Sequence, residues 1–361
     1  MLAVVAVLAA ATLDRLLGDP QRWLHPVQLM GTAITALRRP AERWAGDAQA
    51  RLRLAGLLIC LLLVAGSAGA GWAIERLCLA LLAAVSPLQP RGLPPLGPLV
   101  AGLLLTIALA SALAGGSLAR AVRDVAAALP DLAEARARLA WIVGRDVAGL
   151  SEPEILRAAA ETAAENAVDG LFAPLFWMLL GAALWQLPGT AQGLPAGSAL
   201  PGPLALAWAF KAASTLDSML GYRTGRLTWL GRAGARLDDR LTWLPCRLVA
   251  LSLPLAAGRP GRCLSGLRAA LIEGAPDPSP TAGVSQAAYA LAAAVRLGGV
   301  NHYGGVARAK PLLAPQHPAP DGAALERILR LSDRLELLWL LLWLLAFGGA
   351  AWQTTLQNSG P

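Results

Sequence analysis

Two stretches of this chain are so apolar that they restrict its fold more than any other feature. Residues 54–74 and 96–118 contain no Asp, Glu, Lys or Arg. Each is long enough to supply the roughly 20 residues that a helix needs to cross the hydrocarbon core of a bilayer. Charged residues make up only 15% of the whole chain, whereas an ordinary soluble domain carries about 25%. The sequence therefore predicts an all-α, polytopic integral membrane protein.

Four shorter apolar segments extend this pattern, and the segment at 200–214 contains one ionisable residue, Lys211. We predict one membrane-embedded domain over 1–361, with spans near 2–17, 54–74, 96–118, 171–187, 200–214 and 336–352.

Arginines between the spans predict the orientation, because cytoplasmic loops of membrane proteins are enriched in Arg and Lys. They are abundant in a helical segment, 119–169, and in two motif loops, 215–240 and 258–334. We expect these three regions to be cytoplasmic, with amphipathic helices in the first. This bias explains the net charge of +8 without a nucleic-acid partner. Residues 241–257 are apolar but interrupted by Pro245 and Arg247, which favours a re-entrant or interfacial helix.

Three acidic residues, Glu161, Glu165 and Asp169, recur at intervals of four shortly before an apolar span. Ser151 followed by Glu154 is the pattern of a capping box, so a helix is predicted to begin at the residue after Ser151. On that helix the three carboxylates would form one stripe.

Two interpretations of the acidic stripe remain open from the residues alone. It is either a solvated helix face with an Arg157–Glu161 pair, or a cation site completed by Asn166. Its position at the membrane surface favours the second interpretation, and an oxygen-rich site suits Mg²⁺ together with phosphates.

Lys211 is the second candidate, because an ionisable residue in an apolar span is a functional hypothesis by default. The alternative is that its side chain snorkels to the interface. Further polar clusters contain Asp19 with His25, Asp217 with Arg223, Arg236 with Asp238, and Gly298–Gly299 with Lys310.

Several of these residues lie in long motifs. The segments GDPQRWLHPV, WIVGRDVAGLSEPEI, ETAAENAVDGLFAPLFW, TLDSMLGYR and ARLDD, in this order, closely resemble the membrane-bound adenosylcobinamide-phosphate synthase family (CbiB/CobD). The resemblance covers nearly the whole chain up to about residue 315.

The resemblance implies an ATP-dependent ligase of cobalamin biosynthesis. Its reaction would join adenosylcobyric acid to aminopropanol or aminopropanol phosphate through an amide bond, with ATP and Mg²⁺. It implies an inner-membrane protein with its active site facing the cytoplasm, and it leaves room for association with other late membrane enzymes of the pathway.

The resemblance also suggests roles for the candidate residues. The metal ligands would be Glu161, Glu165 and Asp169, and the base that deprotonates the amine would be Asp146, Asp217 or Asp238. The residues expected to bind nucleotide or substrate are Arg145, Asn166, Lys211, Arg223, Arg236, Lys310, His25 and Asp19. Two positions depart from the family pattern: Thr281 and Gln286 stand where the family has Asn and Glu.

An alternative function is that of a membrane sensor or transporter of the AmpE-like type, without ligase activity. A proton-coupled transporter would be expected to place ionisable residues in mid-membrane. The stretches 54–74 and 96–118 have none, which favours the enzyme.

Overall fold

The computed structural model describes residues 2–18, 25–85, 96–186 and 200–357, so Asp19 lies outside the described residues. The helices are α1 Leu2–Leu17, α2 Pro26–Ala45, α3 Gln49–Val85, α4 Leu96–Ala110, α5 Gly115–Ala127, α6 Leu132–Leu139, α7 Glu152–Ala167, α8 Ala173–Leu184, α9 Pro203–Leu220, α10 Leu227–Leu230, α11 Arg232–Ala256, α12 Cys263–Gly274, α13 Ala282–Ala293 and α14 Gly322–Gln357. A π-helical turn, Val168–Phe172, separates α7 from α8, and strands β1 Leu297–Tyr303 and β2 Val306–Leu313 form an antiparallel pair.

The chain divides into two compact units, where the sequence suggested one domain. The first unit comprises Met1–Ala114, Pro174–Arg240 and Leu340–Pro361. The second unit comprises Gly115–Ala173 and Leu241–Trp339.

Two helical segments in the described residues, Gln49–Ala83 and Glu152–Leu184, are long and apolar enough to cross a membrane. The predicted span 54–74 lies inside the first of them. The predicted span 96–118 is interrupted between α4 and α5, and these two helices would supply a third crossing if they act as one. The interruption has a local cause: the Ser111 hydroxyl donates to the carbonyl of Ala108 at 2.6 Å, and two glycines follow. Side-chain bonds of this kind and glycines commonly break or kink a helix.

A buried carboxylate ties two helices of the first unit together. Glu75 lies in α3, one residue beyond the predicted span, and is completely buried. Its carboxylate accepts hydrogen bonds from the backbone N–H groups of Gly202, Leu204 and Ala205, at 2.9, 2.7 and 3.2 Å. These are N–H groups at the start of α9, which have no partner within the helix. Glu75 therefore caps α9.

We expect Glu75→Ala to lower the thermal stability of the detergent-purified protein strongly, because three N–H donors lose their acceptor. A buried donor left without a partner costs about 1–3 kcal/mol. Glu75→Gln keeps one acceptor oxygen and should have a smaller effect. Glu326→Ala is the control, because its ion pair with Arg123 is exposed and such pairs contribute little. Equal melting temperatures for Glu75→Ala and the control would contradict the capping role.

The region 258–334, predicted as a motif loop, is mostly regular structure in the second unit. It contains α12, α13, the β1–β2 hairpin and the start of α14. The hairpin turns at Gly304 and Gly305, both with positive φ, as the tight turns of hairpins require.

Helices α12 and α13 approach each other at two glycines. A Cβ atom built on Gly274 would lie 2.5 Å from the backbone N of Val284 and 2.6 Å from the carbonyl oxygen of Gly283. A Cβ atom on Gly283 would in turn lie 2.6 Å from Cβ of Asp277. Only glycine permits this contact at either position.

Candidate functional site

A buried ion pair lies within the second unit. The Nη2 atom of Arg145 is 2.6 Å from Oε2 of Glu161, and the two side chains are 8% and 0% exposed. The other oxygen of Glu161 accepts a hydrogen bond from the N–H of Gly298 at 2.9 Å, and Arg145 Nη1 donates to Asn301 Oδ1 at 2.8 Å. Charge and hydrogen bonding thus link α7 to β1.

Arg157, one turn before Glu161 on α7, fastens the same strand. Its Nη1 donates to the carbonyl of Gly298 at 2.6 Å and its Nη2 to that of Val300 at 2.9 Å. Gly299 has a φ of +110°, and a Cβ atom there would meet Arg157 Nη1 at 2.5 Å. Gly299 therefore serves the close contact with Arg157, whereas a Cβ atom on Gly298 would meet the carbonyl of Pro311 instead. The bonds of Arg157 to β1 replace the Arg157–Glu161 pair of the solvated-face interpretation.

Asp146 secures the turn of the hairpin. Its two carboxylate oxygens accept hydrogen bonds from the N–H groups of Gly304 and Gly305, at 3.1 and 2.7 Å. These bonds, that from Gly305 foremost, hold the pKa of Asp146 below its ordinary value. Both oxygens of Asp146 are thus engaged with the hairpin, so the structure shows an anchoring contact, and the catalytic role of Asp146 stays a prediction.

We expect Asp146→Ala to speed amide hydrogen exchange at Gly304 and Gly305, because both N–H groups lose their acceptor. Since the folded-state pKa is lowered, the anchoring is complete above the ordinary aspartate pKa of about 3.9 and is lost as the pH falls through the lowered value. The control is Asp131→Ala, which removes a carboxylate that accepts from the start of α6 and should leave the hairpin unchanged. Unchanged exchange in Asp146→Ala would refute the anchor.

A second polar cluster forms around the middle carboxylate of the stripe. Glu165 Oε2 accepts a hydrogen bond from Gln286 Nε2 at 2.6 Å. Lys310 Nζ lies 3.1 Å from Asp277 Oδ2, and both of these charges act on Glu165. We call these four residues the Glu165 cluster. Gln286, which departs from the family pattern, is thus part of the cluster.

The Glu165 cluster combines one lysine with two acids. Burial alone would lower the pKa of Lys310, but the carboxylates of Glu165 and Asp277 outweigh it and raise that pKa above its ordinary value. Lys310 therefore stays cationic, and it is about one-fifth exposed. Asp277 is held by the N–H of Ser279, which donates to its Oδ1 at 2.9 Å. Thr281, the other departure, contacts the Ser279 hydroxyl at 3.3 Å.

The three stripe carboxylates do not converge on one point. Among the described residues no group of three or more His, Cys, Asp or Glu side chains is arranged to hold a metal ion. Glu161 contacts Arg145 and Gly298, and Asp169 lies in the π-helical turn, where the spacing of the helix changes. Their roles as magnesium ligands stay predictions. Glu165 and Asp277 are the two carboxylates of the Glu165 cluster, and Mg²⁺ commonly uses one or two carboxylates plus substrate phosphates.

The other predicted residues are distributed over both units. Asn166 is half-buried in the last turn of α7. His25 lies in the first unit, and its Nδ1 accepts weakly from the N–H of Val27 at 3.4 Å, as a cap of α2. The remaining predicted residues of the first unit are Lys211 and Asp217 on α9, exposed Arg223 in the following turn, and exposed Arg236 and buried Asp238 on α11.

The sequence matches a known family over most of its length. A sequence model described as "CobD/Cbib protein" matches residues 7–332. The chain belongs to the CobD/Cbib protein family. No solved structure matches it.

Relatives of the CobD/Cbib family align over nearly the full length of this chain. The cobalamin biosynthesis protein CobD of Synechocystis is 41% identical over 315 residues, which cover 87% of this chain and 82% of the relative. CobD of Geobacter metallireducens is 39% identical over 94% of this chain and 95% of its own. CbiB of Salmonella arizonae is 38% identical over 86% of both.

Sequence reasoning missed Asp277 and Asn301. Asn301 lies 156 residues from its partner Arg145 in the chain, so no local spacing relates the two. The hairpin that carries Asn301 did have a signal: Gly304–Gly305 between two short runs of strand-forming residues is typical of a tight hairpin turn.

Proposed function

We propose that this protein acts in cobalamin biosynthesis as an ATP-dependent ligase of the inner membrane. It would join adenosylcobyric acid to aminopropanol or aminopropanol phosphate, with its active site on the cytoplasmic side. The observation that carries this proposal is the Glu165 cluster, which combines a partly exposed lysine with two carboxylates, and Glu165 itself lies in one of the motifs that resemble the family.

The chemistry of amide formation explains why such a cluster is useful. A carboxylate and an amine do not condense unaided in water, so the acid needs activation, most simply as an acyl phosphate. Bound Mg²⁺ would supply neutralisation of phosphate charge, with Glu165 and Asp277 as the carboxylates that hold it.

Lys310 would supply the second neutralising charge. Its ammonium group is positioned by Asp277 and kept protonated by the two acids, so it can bind a phosphate oxygen without gaining or losing a proton. Charges fixed before the reaction stabilise developing negative charge more effectively than water does. The base that deprotonates the amine would be Asp146, Asp217 or Asp238.

The test is a reconstituted reaction. Purified full-length protein in detergent is incubated with adenosylcobyric acid, ATP–Mg²⁺ and either amine, and the product is followed by mass spectrometry. We expect an amide product that depends on both ATP and Mg²⁺. A correctly folded protein that forms no product with either amine would instead support the sensor or transporter alternative.

Glu165→Gln is expected to remove most turnover while leaving membrane insertion and thermal stability nearly unchanged. The amide has the same shape, can still contact Gln286 and relieves repulsion from Asp277, so a purely structural carboxylate would tolerate the change. The measurement is turnover as a function of Mg²⁺ concentration, with Glu152→Gln, an exposed acid at the start of α7, as the control. Wild-type turnover in Glu165→Gln would remove this residue from the site.

A further inference from the structure

The second unit contains a cavity that shares no residue with the Glu165 cluster. Its volume is about 710 Å³, within the ~300–1,000 Å³ of typical ligand sites. Helices α11, α12 and α13 form its walls, with small apolar residues such as Ala250, Ala269 and Ala292, and His317 lies at its edge. The cavity is large enough to hold an apolar group, and its walls are apolar.

Arginines gather at this cavity. Arg259 and Arg262, in the connection between α11 and α12, line it directly. An adjoining cavity of about 170 Å³, which shares Arg259, adds Arg327, Arg330 and Arg334. Apart from Arg327, which donates to a backbone carbonyl, these arginines form no side-chain hydrogen bond or ion pair within the described part of the chain. The positive charges of these arginines repel one another unless an anion is bound among them.

The surface beside the arginines is apolar. On α12 the side chains of Leu264 and Ile272 are 70% and 73% exposed, and Leu255 near the end of α11 is also exposed. Exposed leucines next to arginines are typical of a segment that lies in the membrane interface, with its apolar side chains among acyl chains and its cations at headgroup level.

We propose that this cavity binds an anionic phospholipid. Its phosphate would lie at Arg259 and Arg262, whose planar guanidinium groups match phosphate oxygens, and part of an acyl chain would lie against Ala250, Ala269 and Ala292. A free phosphate ion shares the charge but would leave the apolar volume unfilled, which is why the lipid is the better occupant. This inference does not depend on the ligase activity.

Native mass spectrometry of the delipidated full-length protein in neutral detergent tests the proposal. The protein is titrated separately with phosphatidylglycerol and with phosphatidylcholine of the same acyl chains, and the affinity for the first bound lipid is measured. Inorganic phosphate is then added as a competitor. The test variant combines Arg259→Gln with Arg262→Gln. The matched control is Arg268→Gln, an exposed arginine on the same α12 that does not line the cavity.

We expect phosphatidylglycerol to bind more tightly than phosphatidylcholine, and the double variant to lose at least about tenfold in affinity, or about 1.4 kcal/mol. Arg268→Gln should bind as the wild type does, and thermal unfolding should show that all variants are folded. Ala292→Leu, which fills the cavity without changing charge, should weaken the same binding event. Equal binding of the two lipids, an unaffected double variant, or saturation by phosphate with no further gain from lipid would overturn the proposal.

Discussion

Arg145→Met is expected to destabilise the second unit by about 3–5 kcal/mol, because it leaves the carboxylate of Glu161 buried without its cation. Removing one partner of a buried ion pair typically costs this much, and here one partner is fully buried and the other nearly so. The measurement is thermal unfolding of the full-length protein in detergent. The double variant Arg145→Met with Glu161→Gln should recover part of the loss, since neither charge then remains alone.

Arg123→Met provides the matched control for this prediction. Arg123 and Glu326 form an ion pair of similar length, 2.9 Å, but their side chains are 47% and 37% exposed. Exposed pairs contribute about 0–1 kcal/mol, so the two arginine variants should differ clearly. If Glu161→Gln alone left stability unchanged, the buried pair would not be structural and the magnesium interpretation of Glu161 would regain support.

The second large effect is expected on turnover. Lys310→Met should reduce turnover of the proposed ligase by 30-fold or more, because loss of a desolvated charge partner costs roughly 2–5 kcal/mol. Lys310→Arg keeps the charge but presents it in a different shape, so partial activity should remain. The readouts are kcat and the KM for ATP in each variant.

A double variant separates structure from chemistry at Lys310. Lys310→Met with Asp277→Asn removes both members of the ion pair, so it should regain thermal stability that the single variant loses. If Lys310 binds phosphate, turnover should nevertheless stay low. Recovery of turnover together with stability would show that Lys310 only balances Asp277. The chain's other lysine supplies a comparison: Lys211→Met should also impair turnover if that charge binds an anion and be mild if Lys211 only snorkels.

Local signals predicted the helices well. The capping box was sufficient to place the start of α7: Ser151 and Glu154 form it as expected, with Glu154 Oε2 accepting from the Ser151 N–H at 2.8 Å. Residues 119–169 do contain helices, which are α5, α6 and α7. These features depend on residues within one or two turns of each other, which is the range over which sequence spacing is informative.

The partners of the acidic stripe could not be predicted in the same way. Spacing placed Glu161 and Glu165 on one helix face, but it gave no information on what the rest of the chain brings to that face. Glu161 meets an arginine and a strand, whereas Glu165, one turn later, meets Gln286, which is 121 residues away in the chain. Two carboxylates that look equivalent in sequence therefore differ in chemistry because of tertiary contacts.

The contact between Gly274 and Gly283 has a consequence for how this region can change over time. A methyl group at either position would collide with the backbone or with Asp277. Every single substitution at either glycine is therefore expected to destabilise the contact between α12 and α13. The two glycines are therefore expected to be retained together, because replacing either one would disrupt the α12–α13 crossing and displace Asp277.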